Sequence, residues 1–231
     1  MNWQCPGDAD AVAAAVVAHI EAAAKEAVAR RGRFSLVLAG GTTPLKAYHL
    51  LSQMSAGADN WHIFYGDERC LPADHAERNS RAAAEAWLDG GRIPKANIHI
   101  IPAERGADAA AQQYTQILEG WLPFDLVLLG MGEDGHVASL FPGQVHDPKA
   151  PVVAVHDAPK PPPDRVSLNL PVLAGARACL VVITGAAKRT AVEAWQVRHA
   201  DLPVARLAKA ADHLSVLVDK EACHAPMRPP V

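Results

Sequence analysis

Two rhythms of apolar residues alternate along this chain. Val12, Val16 and Ile20 recur four apart and lay one stripe along a helix, capped at Asp8 or Asp10 and running to about Arg31. Arg30 and Arg31 suit its last turn and Gly32 its stop. Residues 34–39 (FSLVLA) are a short apolar run, the pattern of a buried strand. After Gly40-Gly41-Thr42-Thr43, Pro44 is expected as the first residue of a second helix with Thr43 as its cap, and Leu45, Tyr48 and Leu51 keep the helical spacing. The same reading gives a strand at Trp61–Tyr65 ending in Gly66-Asp67-Glu68-Arg69, then a loop, and a helix over 79–87. A short strand is expected over 97–101, a helix over 107–121 and a strand over 124–129. The proline-rich stretch 142–163 reads as a surface loop with one short strand, Val152–Val155. Strands follow at 166–170 and 178–184, then a helix from Lys188 to about Val197, a last strand at Leu214–Val218, and an irregular tail over 221–231.

Strands alternating with helices predict an α/β fold, Rossmann-like, with a mostly parallel sheet covered by helices on both faces. No internal repeat or linker divides the chain, so one domain spanning 1–231 is expected. In such sheets ligands lie beyond the carboxyl ends of the strands. Four strand ends carry unusual chemistry: GGTTP, GDER, GMGEDGH and TGAAK. All four fall on one edge of a parallel sheet.

Composition narrows what that edge can meet. Lys and Arg number 22 against 25 Asp and Glu, a net charge of −3. That balance gives no general attraction for nucleic acid or anionic membrane. An anionic ligand would have to be held by a few local cations and backbone N–H groups. The four cysteines are scattered without a CxxC, as in the reduced thiols of a cytoplasmic protein. The histidines form no HExxH and no paired spacing with Cys, so neither a metal nor another cofactor is expected. The first residues lack the basic and apolar regions of a leader, and no apolar run is long enough to span a membrane. A monomer or weak homo-oligomer acting on a small molecule is the expectation.

Gly40, Gly41, Thr42 and Thr43 ahead of a helix offer bare N–H groups, two hydroxyls and a positive helix end, the ingredients of a phosphate cradle. This is not a Walker A loop, because no GK[ST] follows. Lys188, in the first turn of its helix, opposes the helix dipole, which invites an anion shared between the two. Arg69 can hold a phosphate bidentately, and Asp67 can contact sugar hydroxyls or orient Arg69.

Gly130, Gly132 and Gly135 match the dinucleotide fingerprint, even to Asp157 some way downstream. Two features exclude that reading. Too few residues separate Gly135 from Pro142-Gly143 for the crossover helix, and Glu133 and Asp134 put negative charge where a pyrophosphate would sit. His136 is the candidate acid/base residue, with Asp134 placed two residues before it to fix its tautomer. Gly132 is a candidate to touch substrate, and the N–H groups of 130–135 are candidates to stabilise an oxyanion. No GxSxG elbow or Cys/His motif indicates a covalent nucleophile.

With these residues in view the chain resembles the 6-phosphogluconolactonase family and the wider group that contains glucosamine-6-phosphate isomerase/deaminase. AGGTTPLKAY (39–48) is similar to the family's phosphate loop, and WHIFYGDERCLP (61–72) with Asn79-Ser80-Arg81 is similar to its DER…SN segment. FDLVLLGMGEDGHVASLFPG (124–143), RVSLNLPVL (165–173) and ITGAAKR (183–189) complete the series in order. The resemblance implies an isomerase/lactonase-type fold and metal-free hydrolysis of 6-phosphoglucono-δ-lactone. It implies His136 as the acid/base residue, and Gly41, Thr42, Thr43, Arg69 and Lys188 as phosphate or substrate ligands. The isomerase branch reads DEY where Asp67-Glu68-Arg69 stands, and it has a further glutamate beyond its histidine. Here VASLFPG follows His136 with no acid before Asp147. A sugar-phosphate sensor would need a helix-turn-helix segment, for which this sequence leaves no room.

Overall fold

The computed structural model describes residues 1–53, 58–197 and 200–223. Its elements in order are β1 (Asn2–Gln4), α1 (Ala9–Arg31), β2 (Phe34–Leu38), α2 (Thr42–Ser52), β3 (Trp61–Tyr65), β4 (Asp67–Arg69), α3 (Asn79–Ala86), α4 (Ala107–Ile117) and β5 (Leu126–Gly130). They continue as β6 (Val152–Val155), β7 (Arg165–Leu168), α5 (Leu170–Ala174), β8 (Cys179–Ile183), α6 (Arg189–Gln196), α7 (Pro203–Ala210) and β9 (Leu214–Val218).

Six strands form one parallel sheet in the order β1-β9-β8-β5-β2-β3. β2 and β8 are buried at every residue. Since successive side chains face opposite sides, both faces of the sheet are covered. The chain winds outward from β2 through α2 to β3, then returns to the other side of β2 with β5 and continues to β8 and β9. The winding reverses between β2 and β5, and such a reversal opens a crevice at the strand carboxyl ends.

Two tyrosines fix the strand ends that border this crevice. The Tyr48 hydroxyl accepts from the Ala39 N–H at 3.0 Å and donates to the Ala39 carbonyl at 2.8 Å. Tyr114 makes the same pair of bonds to Tyr65, at 2.9 and 3.2 Å. Each bonded residue lies just before or at the start of a glycine turn.

The structure departs from the sequence expectation at several elements. Residues 67–69, read as loop, form β4, which pairs antiparallel with β7 in a second sheet of order β4-β7-β6. A three-residue charged strand carries too short a pattern to read. The strand expected over 97–101 is a 3-10 turn at Lys95–Asn97 and a single bridge from Ile98 to Ile63. Pro94 and Pro102 bracket it too closely for a longer ladder. The expected strand over 166–170 stops at Leu168, because the Asn169 side chain caps α5 by accepting from the Leu170 N–H. Asp8, not Asp10, caps α1; Asp10 pairs with Lys46 instead. α2 begins at Thr42 with no side-chain cap, so Thr43 is not its cap and Pro44 is not its first residue. Lys188 closes a 3-10 turn before α6 rather than sitting inside that helix. β1 and α7 were not anticipated, although Pro203 at the start of α7 is a helix signal. The tail expected to be irregular lies, from residue 224 onward, outside the described residues. Among the described residues no helix is long and apolar enough to cross a membrane.

Candidate active site

At the crevice between β2 and β5 lies a cleft of about 370 Å³. Gly40, Gly41, Thr42, Thr43, Asp67, Arg69, Gly132, His136 and Lys188, all expected from the sequence, line it. Asp134 stands behind His136.

The loop after β5 is shaped around the histidine. Asp134 Oδ1 lies 2.5 Å from His136 Nδ1 and also accepts from the His136 backbone N–H at 3.2 Å. The contact fixes the ring and leaves Nε2 as the nitrogen for other work. Burial opposes ionisation of Asp134, but the charge of His136 and the two hydrogen bonds from it outweigh that and hold the carboxyl below its usual value. Phe141 packs against the imidazole with ring centroids 4.7 Å apart. Gly132 is required by space: a Cβ there would fall 2.0 Å from His136 Nδ1. Its N–H donates to the His136 carbonyl at 2.9 Å, and the Gly135 N–H donates to the Gly132 carbonyl at 3.1 Å. Those two N–H groups are spent inside the loop and are not free for an oxyanion.

The opposite wall is the start of α2. Gly41 is its N-cap with φ +105, a conformation that favours glycine. A first helical turn leaves N–H groups without intrahelical partners, and Pro44 carries none. With no side chain capping them, the N–H groups of Thr42 and Thr43 are left for a ligand. Thr43's hydroxyl pairs with that of Thr184, joining this wall to the end of β8. Gly40 leaves room for Asn79, whose Oδ1 would sit 2.1 Å from a Cβ at that position.

Four cations ring the cleft: Arg69, Lys160, Arg165 and Lys188. Arg69 donates to the Glu77 carbonyl at 2.8 Å and makes no bond to Asp67, so Asp67 does not orient it. Asp67 accepts instead from Asn79 at 3.1 Å and from the Ser139 hydroxyl at 2.5 Å. Glu68, fully buried, accepts from the N–H groups of Arg69, Asn79 and Ser80, so it anchors the start of α3 and does not face the cleft. Lys160 lies 3.7 Å from Glu133, bridging the β6–β7 connection to the histidine loop. Burial lowers the Lys188 ammonium value, with Lys160 adding to the effect and Glu133 and Asp134 opposing it. Burial likewise lowers Arg165.

Lys160 and Arg165 escaped the sequence reading. Lys160 sits in the proline-rich stretch taken as plain surface, and Arg165 opens a strand whose pattern gave no hint of a cleft. Arg165 is nine-tenths buried, and it donates to the carbonyls of Lys160, Pro161 and Pro162. An arginine ahead of an apolar run in the RVSLNLPVL stretch was the only available signal.

Fold and cleft together define a Rossmann-like α/β protein of the isomerase/lactonase type, with a cation-lined cleft and a carboxylate-backed histidine at its switch point. The sequence model for glucosamine-6-phosphate isomerases/6-phosphogluconolactonase matches residues 7–216, and the chain belongs to that family. It is 38% identical over 204 residues to a 6-phosphogluconolactonase of Mycobacterium tuberculosis, covering 81% of this chain and 82% of that one. It is 36% identical over 212 residues to the chloroplastic 6-phosphogluconolactonase 3 of Arabidopsis thaliana, covering 83% of this chain and 65% of the relative. It thus spans about two thirds of that plant protein's length. Its fold is also similar to a 6-phosphogluconolactonase of Trypanosoma brucei, with TM-score 0.86 and 28% identity, covering 96% of this chain and 97% of the other.

Proposed function

We propose that this chain hydrolyses 6-phosphoglucono-δ-lactone to 6-phosphogluconate, with His136 as general acid/base. The observation that carries the reading is the pairing, in one cleft, of a carboxylate-backed imidazole with an anion site. His136 Nδ1 is engaged by Asp134 at 2.5 Å while the ring lines a cleft bordered by Arg69, Lys160, Arg165, Lys188 and the uncapped start of α2.

The chemistry follows from that arrangement. The phosphate binds among the cations and the Thr42 and Thr43 N–H groups, which places the lactone ring against the imidazole. His136 Nε2 takes a proton from water as the water oxygen attacks the lactone carbonyl. The tetrahedral intermediate then expels the ring oxygen, which takes the same proton from the imidazolium. Asp134 stabilises that imidazolium and holds the ring. General base catalysis contributes roughly 10²–10⁴-fold and positioning adds more, enough for an ester already activated by its ring.

The isomerase chemistry of the sister branch needs a further acid to move a proton between carbons. Among the described residues Asp67 is the only acid lining the cleft, and both of its oxygens already accept hydrogen bonds. The reading requires no cofactor, nucleic acid or membrane, and nothing beyond a monomer or weak homo-oligomer. Its four cysteines are scattered without a CxxC, which suits a reducing compartment, and we place it in the cytoplasm.

The test is an assay with freshly generated 6-phosphoglucono-δ-lactone, background hydrolysis subtracted, beside glucosamine 6-phosphate. Turnover of the lactone alone is expected. Turnover of the amino sugar alone would overturn the reading.

A further inference from the structure

The loop that carries His136 turns sharply straight after it. Ala138 lies in the left-handed region, φ +48, where a non-glycine residue is strained and persists only when its surroundings over-determine it. On one side of that turn His136 and Ala138 line the cleft; on the other, Ser139 is fully buried. Val137 is fully buried too, and its carbonyl accepts from the Leu140 N–H at 3.0 Å, which closes the turn.

The buried hydroxyl has a specific destination. Ser139 Oγ donates to Asp67 Oδ2 at 2.5 Å, while Asn79 donates to Asp67 Oδ1 at 3.1 Å and to the Asp67 carbonyl at 3.0 Å. The Ser139 N–H donates to Ser167 Oγ at 3.2 Å, and Ser167 Oγ donates to the Leu168 carbonyl at 3.0 Å. The histidine loop is thereby fastened to β4 and β7 of the second sheet through Ser139 and Ser167, neither of which lines the cleft. We propose that Ser139 is a positioning residue: its hydroxyl couples the His136 loop to the Asp67 carboxylate in the wall of the same cleft.

The balance of forces on Asp67 supports this. Burial raises its carboxyl, and Glu68 adds to the rise. The Ser139 hydrogen bond is the largest opposing influence, followed by Arg165 and His136. The donors in contact with Asp67 are neutral, so they hold its charge without cancelling it. An ionised Asp67 gives the imidazolium that forms during turnover a second favourable carboxylate beyond Asp134. Without the Ser139 hydroxyl, Asp67 takes up a proton at higher pH and that field is lost.

The inference rests on the lactonase reading, and its test separates the two. The full chain is compared with S139A, S139C and S167A by pH profiles of kcat and KM on the fresh lactone. NMR titration of the Asp67 carboxyl, which needs no substrate, runs alongside. S139A is expected to lose about tenfold in kcat on the acid side, with its acid limb moved to higher pH and KM little changed. Its Asp67 carboxyl is expected to titrate at higher pH than in the parent. S139C, which keeps the volume and a weak donor, is expected to fall between, and it decides the matter if S139A does not fold. S167A, equally buried and beside Asp67 on the β4–β7 ladder but with no side-chain hydrogen bond to its carboxylate, is expected to lose stability and leave the limb and the titration in place. Parent-like limb and titration in S139A and S139C would overturn the proposal, as would equal shifts in S167A. An inactive parent would sink the lactonase reading while the titration still judged the coupling.

Discussion

The two halves of the cleft are built by different means. The half that holds the imidazole–carboxylate pair is local: Asp134 and His136 are two residues apart, and their 2.5 Å contact needs only the turn between them and the bare Gly132 beneath. The cation-lined half, proposed to hold the phosphate, is assembled at long range. Arg69 comes from β4, Lys160 from the β6–β7 connection, Arg165 from β7 and Lys188 from the turn after β8, so two sheets contribute. The difference matches what each task tolerates. Proton transfer is sensitive to fractions of an ångström and favours partners held in one short loop. Attraction between opposite charges falls off slowly with distance, so separate elements with long side chains can supply it.

Breaking the local half should do the most damage. His136→Ala is expected to lower kcat by roughly 10²–10⁴-fold while 6-phosphogluconate still binds, measured by calorimetry. Substantial residual turnover would remove His136 from the acid/base role. Gly132→Ala comes next. Its methyl would fall 2.0 Å from His136 Nδ1, so the ring or the loop must move, and kcat should approach that of His136→Ala in a protein that still melts cooperatively. Near-normal kcat in that variant would show that the loop has slack and that the two halves differ less than drawn here.

The long-range half should degrade by steps. Arg165→Ala, Arg69→Ala or Lys188→Ala is expected to raise KM for the phosphorylated lactone by about 10–100-fold, and far less for the unphosphorylated one. Equal effects on both substrates would take the altered residue out of the phosphate site. The smallest effect concerns pH. Burial holds the Lys188 ammonium below its usual value, so its charge is lost as pH rises, sooner than for an exposed lysine. Affinity for 6-phosphogluconate should therefore weaken at alkaline pH, and Lys188→Arg should delay that weakening. An unchanged alkaline profile in Lys188→Arg would assign the loss to another group.

The same contrast explains what was legible beforehand. The strand–helix alternation gave the parallel sheet, because β2, β5 and β8 are apolar runs and their period is visible in any window. GGTT, His136, Asp134 and Lys188 stood out because each sits directly at a strand end, where local chemistry differs from the background. Of the two roles expected for Asp67, orienting Arg69 does not hold: its partners are Asn79 and Ser139, the second of them seventy-two positions away. Arg165 and Lys160 were missed because nothing near them in sequence says that a hairpin folds over the cleft. β4 was missed because three charged residues form a strand only when β7 offers them a ladder.

By itself, then, the sequence determined the α/β class, the edge on which the cleft lies, and which histidine and carboxylate stand together there. Those depend on hydrophobic period, glycine placement and neighbours within a few residues. Tertiary structure alone decided the second sheet, the four-cation rim, the loss of the Gly132 and Gly135 N–H groups to the loop's own bonds, and the tie from Ser139 to Asp67. Each of these depends on which distant backbone closes on which, and a buried polar group must take the partner that packing brings to it.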